Sequence, residues 1–101
     1  MINHNIENCP GIYIITNTIN KKVYIGQAMK IKSRMLWGHL KYLERNKHYN
    51  KYFQYSWNKY TSIYGKECFT FEILEKCEEK LLNEREIYWI SYYKNNITIC
   101  L

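Results

Sequence analysis

Gly11-Ile12-Tyr13-Ile14-Ile15-Thr16 and, after six intervening residues, Val23-Tyr24-Ile25-Gly26 decide how this chain of 101 residues is read. Both segments are dense in β-branched and aromatic residues, which suit a pleated surface, and each has the length of a single strand. Pro10 precedes the first, and Asn17-Thr18-Ile19-Asn20 follows it with asparagines suited to turn positions. The simplest arrangement is an antiparallel hairpin closed by residues 17–20. Thr16 then lies opposite Lys21, Tyr13 opposite Tyr24 and Gly11 opposite Gly26. Because side chains alternate along a strand, Tyr13, Tyr24 and Lys22 share one face, with Ile12, Ile14, Val23 and Ile25 on the other. Spacing alone makes the two tyrosines cross-strand packing partners and the two glycines strand-end punctuation.

Outward from the hairpin, residues 30–45 contain no proline, and Leu36, Leu40 and Leu43 recur at the spacing of a buried helical stripe. Lys30, Arg34, Trp37, Lys41 and Arg45 fall along a different face of this first helix, a line of positive charge suited to phosphates or to a solvated flank. Asn46 to Asn50 reads as a loop, with Asn50 placed to cap a second helix through about Tyr60. Tyr64-Gly65-Lys66 turns into Cys68–Leu74, where Phe69, Phe71 and Ile73 alternate as in a half-buried strand. A last helix runs from about Glu78 to Tyr93, its acidic first turn matching the helix dipole. The expected fold is a small α/β (α+β) domain: a three-stranded, mainly antiparallel sheet flanked by helices, in the order β-β-α-α-β-α.

Composition agrees with one such domain. The chain is 47% apolar and 17% aromatic, with one proline and four glycines, enough for a single core and too little for two. No apolar run approaches the ~20 residues that span a bilayer. The polar start Met1-Ile2-Asn3-His4-Asn5 lacks the order of a signal peptide, so a soluble, intracellular protein of the cytoplasm or nucleus, with no membrane partner, is expected. The net charge of +6 is unevenly spread: residues 1–66 carry +9 and residues 67–101 carry −3. A basic first part suits contacts with a polyanion, although most such charges serve solubility. Cys9, Cys68, Cys77 and Cys100 show no C-x-x-C or paired-histidine spacing, which argues against structural zinc.

One carboxylate breaks the pattern. Leu82, Glu86, Trp89 and Tyr93 recur on one stripe of the last helix, which seats Glu86 among apolar and aromatic neighbours. An ionised carboxylate there needs a partner, and three are open to it: a structural ion pair with Arg85 or another cation, its own protonation, or a divalent metal. None of the grouped residues is a convincing nucleophile. Phosphodiester hydrolysis needs activated water, charge neutralised on the phosphoryl oxygens and an assisted leaving group. Two tyrosines, a lysine, an arginine and a carboxylate are the parts for that chemistry.

Gly11-Ile12-Tyr13, ten residues, then Tyr24-Ile25-Gly26 resembles the two-part signature of the GIY-YIG endonuclease superfamily. Arg34 in a following helix and the Asn83–Ile90 segment extend the likeness, which covers roughly residues 10–96 and is closest in pattern to the catalytic domains of phage-type homing endonucleases. The resemblance implies a metal-dependent endonuclease that hydrolyses DNA to leave 5′-phosphate and 3′-hydroxyl ends. By it, Tyr13 orients or deprotonates the attacking water, Tyr24 assists at the phosphate, and Arg34 binds the scissile phosphate. His48 takes part in proton transfer, with His39 as its competitor, and Glu86 ligates one Mg2+ (or Mn2+) ion. Gly11, Lys22 and Gly26 support the site, and Lys30, Arg34, Lys41 and Arg45 are the expected DNA contacts. The site is expected on the Tyr13/Tyr24 face of the sheet, between the first helix and Glu86. Related nucleases also carry an asparagine in a Gly-Tyr-Asn-like segment after the last helix, where this chain reads Asn96-Ile97-Thr98-Ile99-Cys100-Leu101. They usually bear a separate DNA-recognition domain, and this chain ends before one could begin. The alternative reading is a catalytically weak nucleic-acid-binding module, or a fragment that needs a partner domain or protein.

Overall fold

The structure, a computed structural model, describes residues 7–96, the last two by their backbone alone. Strands β1 (Gly11–Asn17), β2 (Val23–Ala28) and β3 (Phe69–Lys76) form one antiparallel sheet in the order β2-β1-β3. Helix α1 spans residues 31–44, α2 is Lys51–Tyr64 and α3 is Leu82–Asn96. Single 3-10 turns precede β3 at Lys66–Cys68 and α3 at Glu79–Leu81. The expected element order is correct, and β1 is the central strand.

The hairpin register differs from the expected one. Tyr13 pairs with Gly26 and Ile15 with Tyr24, so the tyrosines sit diagonally, not opposite each other. Asn17 is the cause: its N–H donates to the Lys22 carbonyl (2.9 Å) and its Oδ1 accepts from the Ile19 N–H (2.9 Å). It therefore stays in the strand while its side chain shapes the turn, and Lys21 takes a left-handed conformation (φ 68°) to close it. A slip of two residues keeps every side chain on its predicted face.

The sheet separates two apolar layers. On the Tyr13 face, Tyr13, Ile15, Phe69 and Phe71 pack with Ile31, Met35, Leu40 and Leu43 of α1 and with Phe53 and Trp57 of α2. Burying side chains of that size stabilises the fold by about 1.5–3 kcal/mol each. On the other face Ile12, Ile14 and Val23 are buried, and so is Leu82 of α3, which lies against β2 and β1. Asn50 caps α2, accepting from the Phe53 N–H at 3.1 Å, and the helix runs four residues beyond its expected end to Gly65 (φ 85°).

Helix α1 also departs from the expected pattern. Its central stretch, Arg34–Leu40, has π-helical turns, with α-helical Ile31–Ser33 before and Lys41–Glu44 after it. The wider turns accommodate one extra residue, so the buried stripe runs Ile31, Met35, Leu40, Leu43 and Leu36 is only half-buried. No helix among the described residues is long and apolar enough to cross a membrane.

Candidate active site

The centre of the site is the Tyr13 hydroxyl. Tyr13 lies on the central strand, 1% exposed, and its ring passes over its partner Gly26 toward the sheet edge. A Cβ on Gly26 would collide with the phenol oxygen and stand 2.5 Å from Cζ, so this glycine makes room for the ring and does not merely end a strand. Gly11 is also needed for close approach: its missing Cβ would press on the Glu75 carbonyl and lie 2.8 Å from Ile31 Cδ1.

The π turn of α1 brings two further groups to this hydroxyl. Arg34 and His39 are five residues apart and would diverge by about 140° on an ordinary 3.6-residue turn. Here His39 Nε2 is 2.5 Å from the Tyr13 oxygen, and the positive charge of the Arg34 guanidinium acts on the same hydroxyl. Gly38 provides the space for that arginine, since a Cβ there would lie 3.0 Å from Arg34 Cδ.

Behind His39 the hydrogen bonds continue inward. His39 Nδ1 is 2.8 Å from His48 Nε2, and His48 Nδ1 accepts from the Asn50 N–H at 3.0 Å. These partners assign the tautomers. With Nδ1 taken by a backbone donor, neutral His48 carries its proton on Nε2 and donates to His39, which in turn donates from Nε2 to Tyr13. Both rings are fully buried, and Gln54 holds the His48 backbone N–H at 2.9 Å. The two histidines considered for one role are thus hydrogen-bonded in series, and His39 is the one that touches Tyr13.

Burial pushes His39 down to about 3, with the charges of His48 and Arg34 adding to the shift, and burial also lowers His48. Both rings are neutral near pH 7. Burial pushes Tyr13 up to about 12 against the pull of Arg34, while the charges of Tyr49 and Glu86 raise it further. Tyr24 is raised as well, by burial first and then by its hydrogen bond to Tyr49, whose hydroxyl is 2.5 Å away. Lys22 donates to the Tyr52 hydroxyl at 2.9 Å, not to either signature tyrosine.

Glu86 stands in the layer opposite the Tyr13/Tyr24 face, on α3 against β2. It is half-buried at the edge of α3, and Gln27 of β2 donates to its Oε1 at 2.9 Å and to Asn83 Oδ1 at 2.7 Å. Gln27 and Glu86 stand on the far face of the edge strand, and the Glu86 charge is felt at the Tyr13 hydroxyl. Arg85, one of the cations considered for Glu86, is engaged elsewhere: Arg85 Nε and Trp89 Nε1 donate to Glu75 Oε1 at 2.7 and 3.0 Å. A bulge in the β1–β3 pairing between Ile12 and Tyr13 places Glu75 opposite Ile12, toward α3, where it fixes the rotation of that helix.

The donor set suits a hard divalent ion. Glu86 has no cationic partner within ion-pair distance among the described residues, and no cluster of three His, Cys, Asp or Glu side chains accompanies it there. A single carboxylate is the kind of holding that magnesium accepts, keeping its other positions for water and phosphate. An open cleft of about 470 Å³ beside it is lined by Gln27, Ala28, Lys30, Ser33, Arg34 and Leu82, among others. Of the expected DNA contacts, Lys30 and Arg34 line this cleft, whereas Lys41 sits over the Trp37 ring (5.6 Å) and Arg45 is exposed at the end of α1. Of the stretch 96–101, where the Gly-Tyr-Asn-like segment was expected, residue 96 ends α3 and 97–101 lie outside the described residues.

A hairpin joining two tyrosines over a glycine, an arginine on the next helix and a glutamate on the last define a GIY-YIG catalytic domain, and the chain belongs to that family, whose model matches residues 9–98. Intron-associated endonuclease 1 of Enterobacteria phage T4 is 40% identical over 90 residues, which are 86% of this chain and 34% of that protein. The chain therefore spans about a third of that relative's length. The catalytic domain of homing endonuclease I-TevI superposes with a TM-score of 0.67 at 34% identity, over 91% of this chain and 98% of that one. A mutant form of the intron endonuclease I-TevI catalytic domain gives 0.68 at 36% identity, over 88% and 91%.

Gln27, Gly38 and Glu75 were not among the expected site residues. Glu75 and Gln27 owe their places to the bulge and the register, which leave no periodic signal. Gly38 inside a charged helix was the one legible cue, because an interior glycine costs about 1 kcal/mol against alanine and so has a local reason.

Proposed function

We propose that this chain is the catalytic domain of a DNA endonuclease that hydrolyses phosphodiester bonds with one divalent ion, leaving 5′-phosphate and 3′-hydroxyl ends. The observation that carries the reading is the convergence on the Tyr13 hydroxyl of His39, Arg34 and the Glu86 charge. In the reaction the oxygen of a water bonds to phosphorus as the bond from phosphorus to O3′ breaks, the water's proton passes to bulk solvent and O3′ takes one from it. Arg34 binds the scissile phosphate and neutralises charge as it grows on the phosphoryl oxygens. Tyr13 orients the water. Because His39 already donates to its oxygen, the proton of Tyr13 points outward, and the two buried histidines hold that direction in place without carrying the proton away. Tyr24 supports the phosphate through its contact with Tyr49, and Glu86 holds the metal, kept in position by Gln27. The bound ion supplies a lower pKa for water and charge neutralisation at the phosphate.

Magnesium is the expected ion, and Lys30 and Ser33 extend the phosphate contact along the cleft. The length of the T4 relative supports a further DNA-recognition domain or protein as partner. The test is nicking of supercoiled plasmid with Mg2+. Glu86→Gln should remove cleavage by about 100-fold or more while leaving the circular dichroism spectrum unchanged. Salt-sensitive DNA binding by the unmodified chain, with no cleavage under any divalent ion, would instead identify a binding module.

A further inference from the structure

The rings behind Tyr13 form a column that runs out to the surface. His39 stacks on His48 with centroids 5.1 Å apart and planes at 19°, and His48 stacks on Tyr49 at 4.5 Å and 22°. The histidines are fully buried, while Tyr49 is 63% exposed. One face of Tyr49 is covered by His48, so its exposure belongs to the opposite face and edge. Its hydroxyl is tied back to the Tyr24 hydroxyl and acts on Tyr13 and Arg34. The hydroxyl contact and the stack hold the ring in this orientation, and the column ends in an exposed aromatic face whose hydroxyl acts on Arg34. Alongside, Tyr52 is 54% exposed with its hydroxyl held by Lys22, whose ammonium stands 5.5 Å from the ring centroid.

A fixed aromatic face with cations at its side is what a nucleobase and its phosphate need. We infer that Tyr49 is a stacking platform for one unpaired nucleobase flanking the scissile phosphate, with Lys22 and Tyr52 bordering the place where the base is received. The inference rests on the endonuclease reading and adds a requirement to it: the duplex opens locally at the cut. Placing the base on Tyr49 continues the column of rings and brings the attached phosphate toward Arg34. Because unstacking is cheaper at a mismatch, substrates with a mismatch beside the cut should bind more tightly.

The test uses duplex oligonucleotides spanning a mapped cut, with 2-aminopurine moved one position at a time, in a Glu86→Gln background that leaves the strands intact. One position should brighten or quench on binding beyond the ordinary duplex signal. Tyr49→Phe, which keeps the ring, should retain that signal, and Tyr49→Leu should abolish it and weaken binding by roughly 5- to 100-fold. Unfolding midpoints, measured alongside, should be unchanged by substitutions at this exposed position. If the unmodified chain cuts DNA while every position keeps its duplex signal, or if Tyr49→Leu leaves the signal unchanged, the platform is refuted and the nuclease stands. If the unmodified chain neither binds nor cuts DNA, the endonuclease reading fails and the platform fails with it.

Discussion

Gly26→Ala tests the packing that delivers Tyr13 to the sheet edge. Gly26 has ordinary strand geometry, so alanine is allowed by its backbone and would by itself stabilise the chain by about 0.4–1 kcal/mol through the unfolded state. The new Cβ, however, meets the Tyr13 oxygen, lies 2.5 Å from Cζ and 3.0 Å from Cε2, and the ring is buried and held by His39. Overpacking of this kind costs about 1–3 kcal/mol, so the net effect is a loss of roughly 1–2 kcal/mol. For a domain of this size that lowers the unfolding midpoint by about 4–16 °C. Moving the hydroxyl by about 1 Å costs on the order of 100-fold in kcat. Calorimetry and plasmid nicking read the two effects. The decisive comparison is Gly26→Ala in a Tyr13→Leu background: with the ring gone, alanine should become neutral or stabilising. Equal destabilisation in both backgrounds, or full activity of the single variant, refutes the reasoning.

Two further outcomes follow from the buried histidines and the cap. His39 falls from its ordinary value near 6.5 to about 3 and His48 moves the same way, so the folded state refuses protons that the unfolded chain takes up. The His39 contribution is complete above about pH 6.5 and is lost as pH falls toward 3, by about 1.4 kcal/mol per pH unit, and His48 acts in the same direction. Denaturant unfolding between about pH 7.5 and pH 5, above the carboxylate range, should show that loss, and His39→Gln should make it shallower, leaving the His48 part. Asn50→Ala removes the Oδ1 acceptor of the Phe53 N–H and should cost about 1 kcal/mol, read as a fall of about 4–8 °C in the midpoint. An unchanged midpoint would show that the first turn of α2 finds another acceptor.

Much of this was legible in the sequence because the hairpin is written in strand-forming residues and the family signature sits on it. The faces of Tyr13, Tyr24 and Ile12 came out as read even though the register did not, since a slip of two positions preserves alternation. The register itself depended on Asn17 serving strand and turn at once, which composition does not reveal. The odd placement of Glu86 was visible as a periodicity, but its partner was not: the choice between Arg85 and Gln27 was made by a bulge elsewhere in the sheet. The π turn was the least legible feature. Helical spacing favoured Leu36, Leu40 and Leu43 as the buried stripe; Leu40 and Leu43 are buried as read, but the π turns that bring Arg34 and His39 to the Tyr13 hydroxyl put Met35 in the place of Leu36.

That need follows from the size of the sheet. With three strands, no crevice lies between strand ends, and a site drawing on both layers must form around an edge. Tyr13 stands on the central strand and can act at that edge only by crossing its neighbour, which requires a glycine at the crossing point. Once the hydroxyl is there, α1 must present two side chains to one atom from the near layer, and α3 must bring a carboxylate past the edge from the far one. The first requirement is met by a helix wound wider over Arg34–Leu40, and the second by Glu75 locking the rotation of α3. Substitutions at Gly26, Gly38 or Glu75 should therefore impair the site without any of these residues touching the substrate.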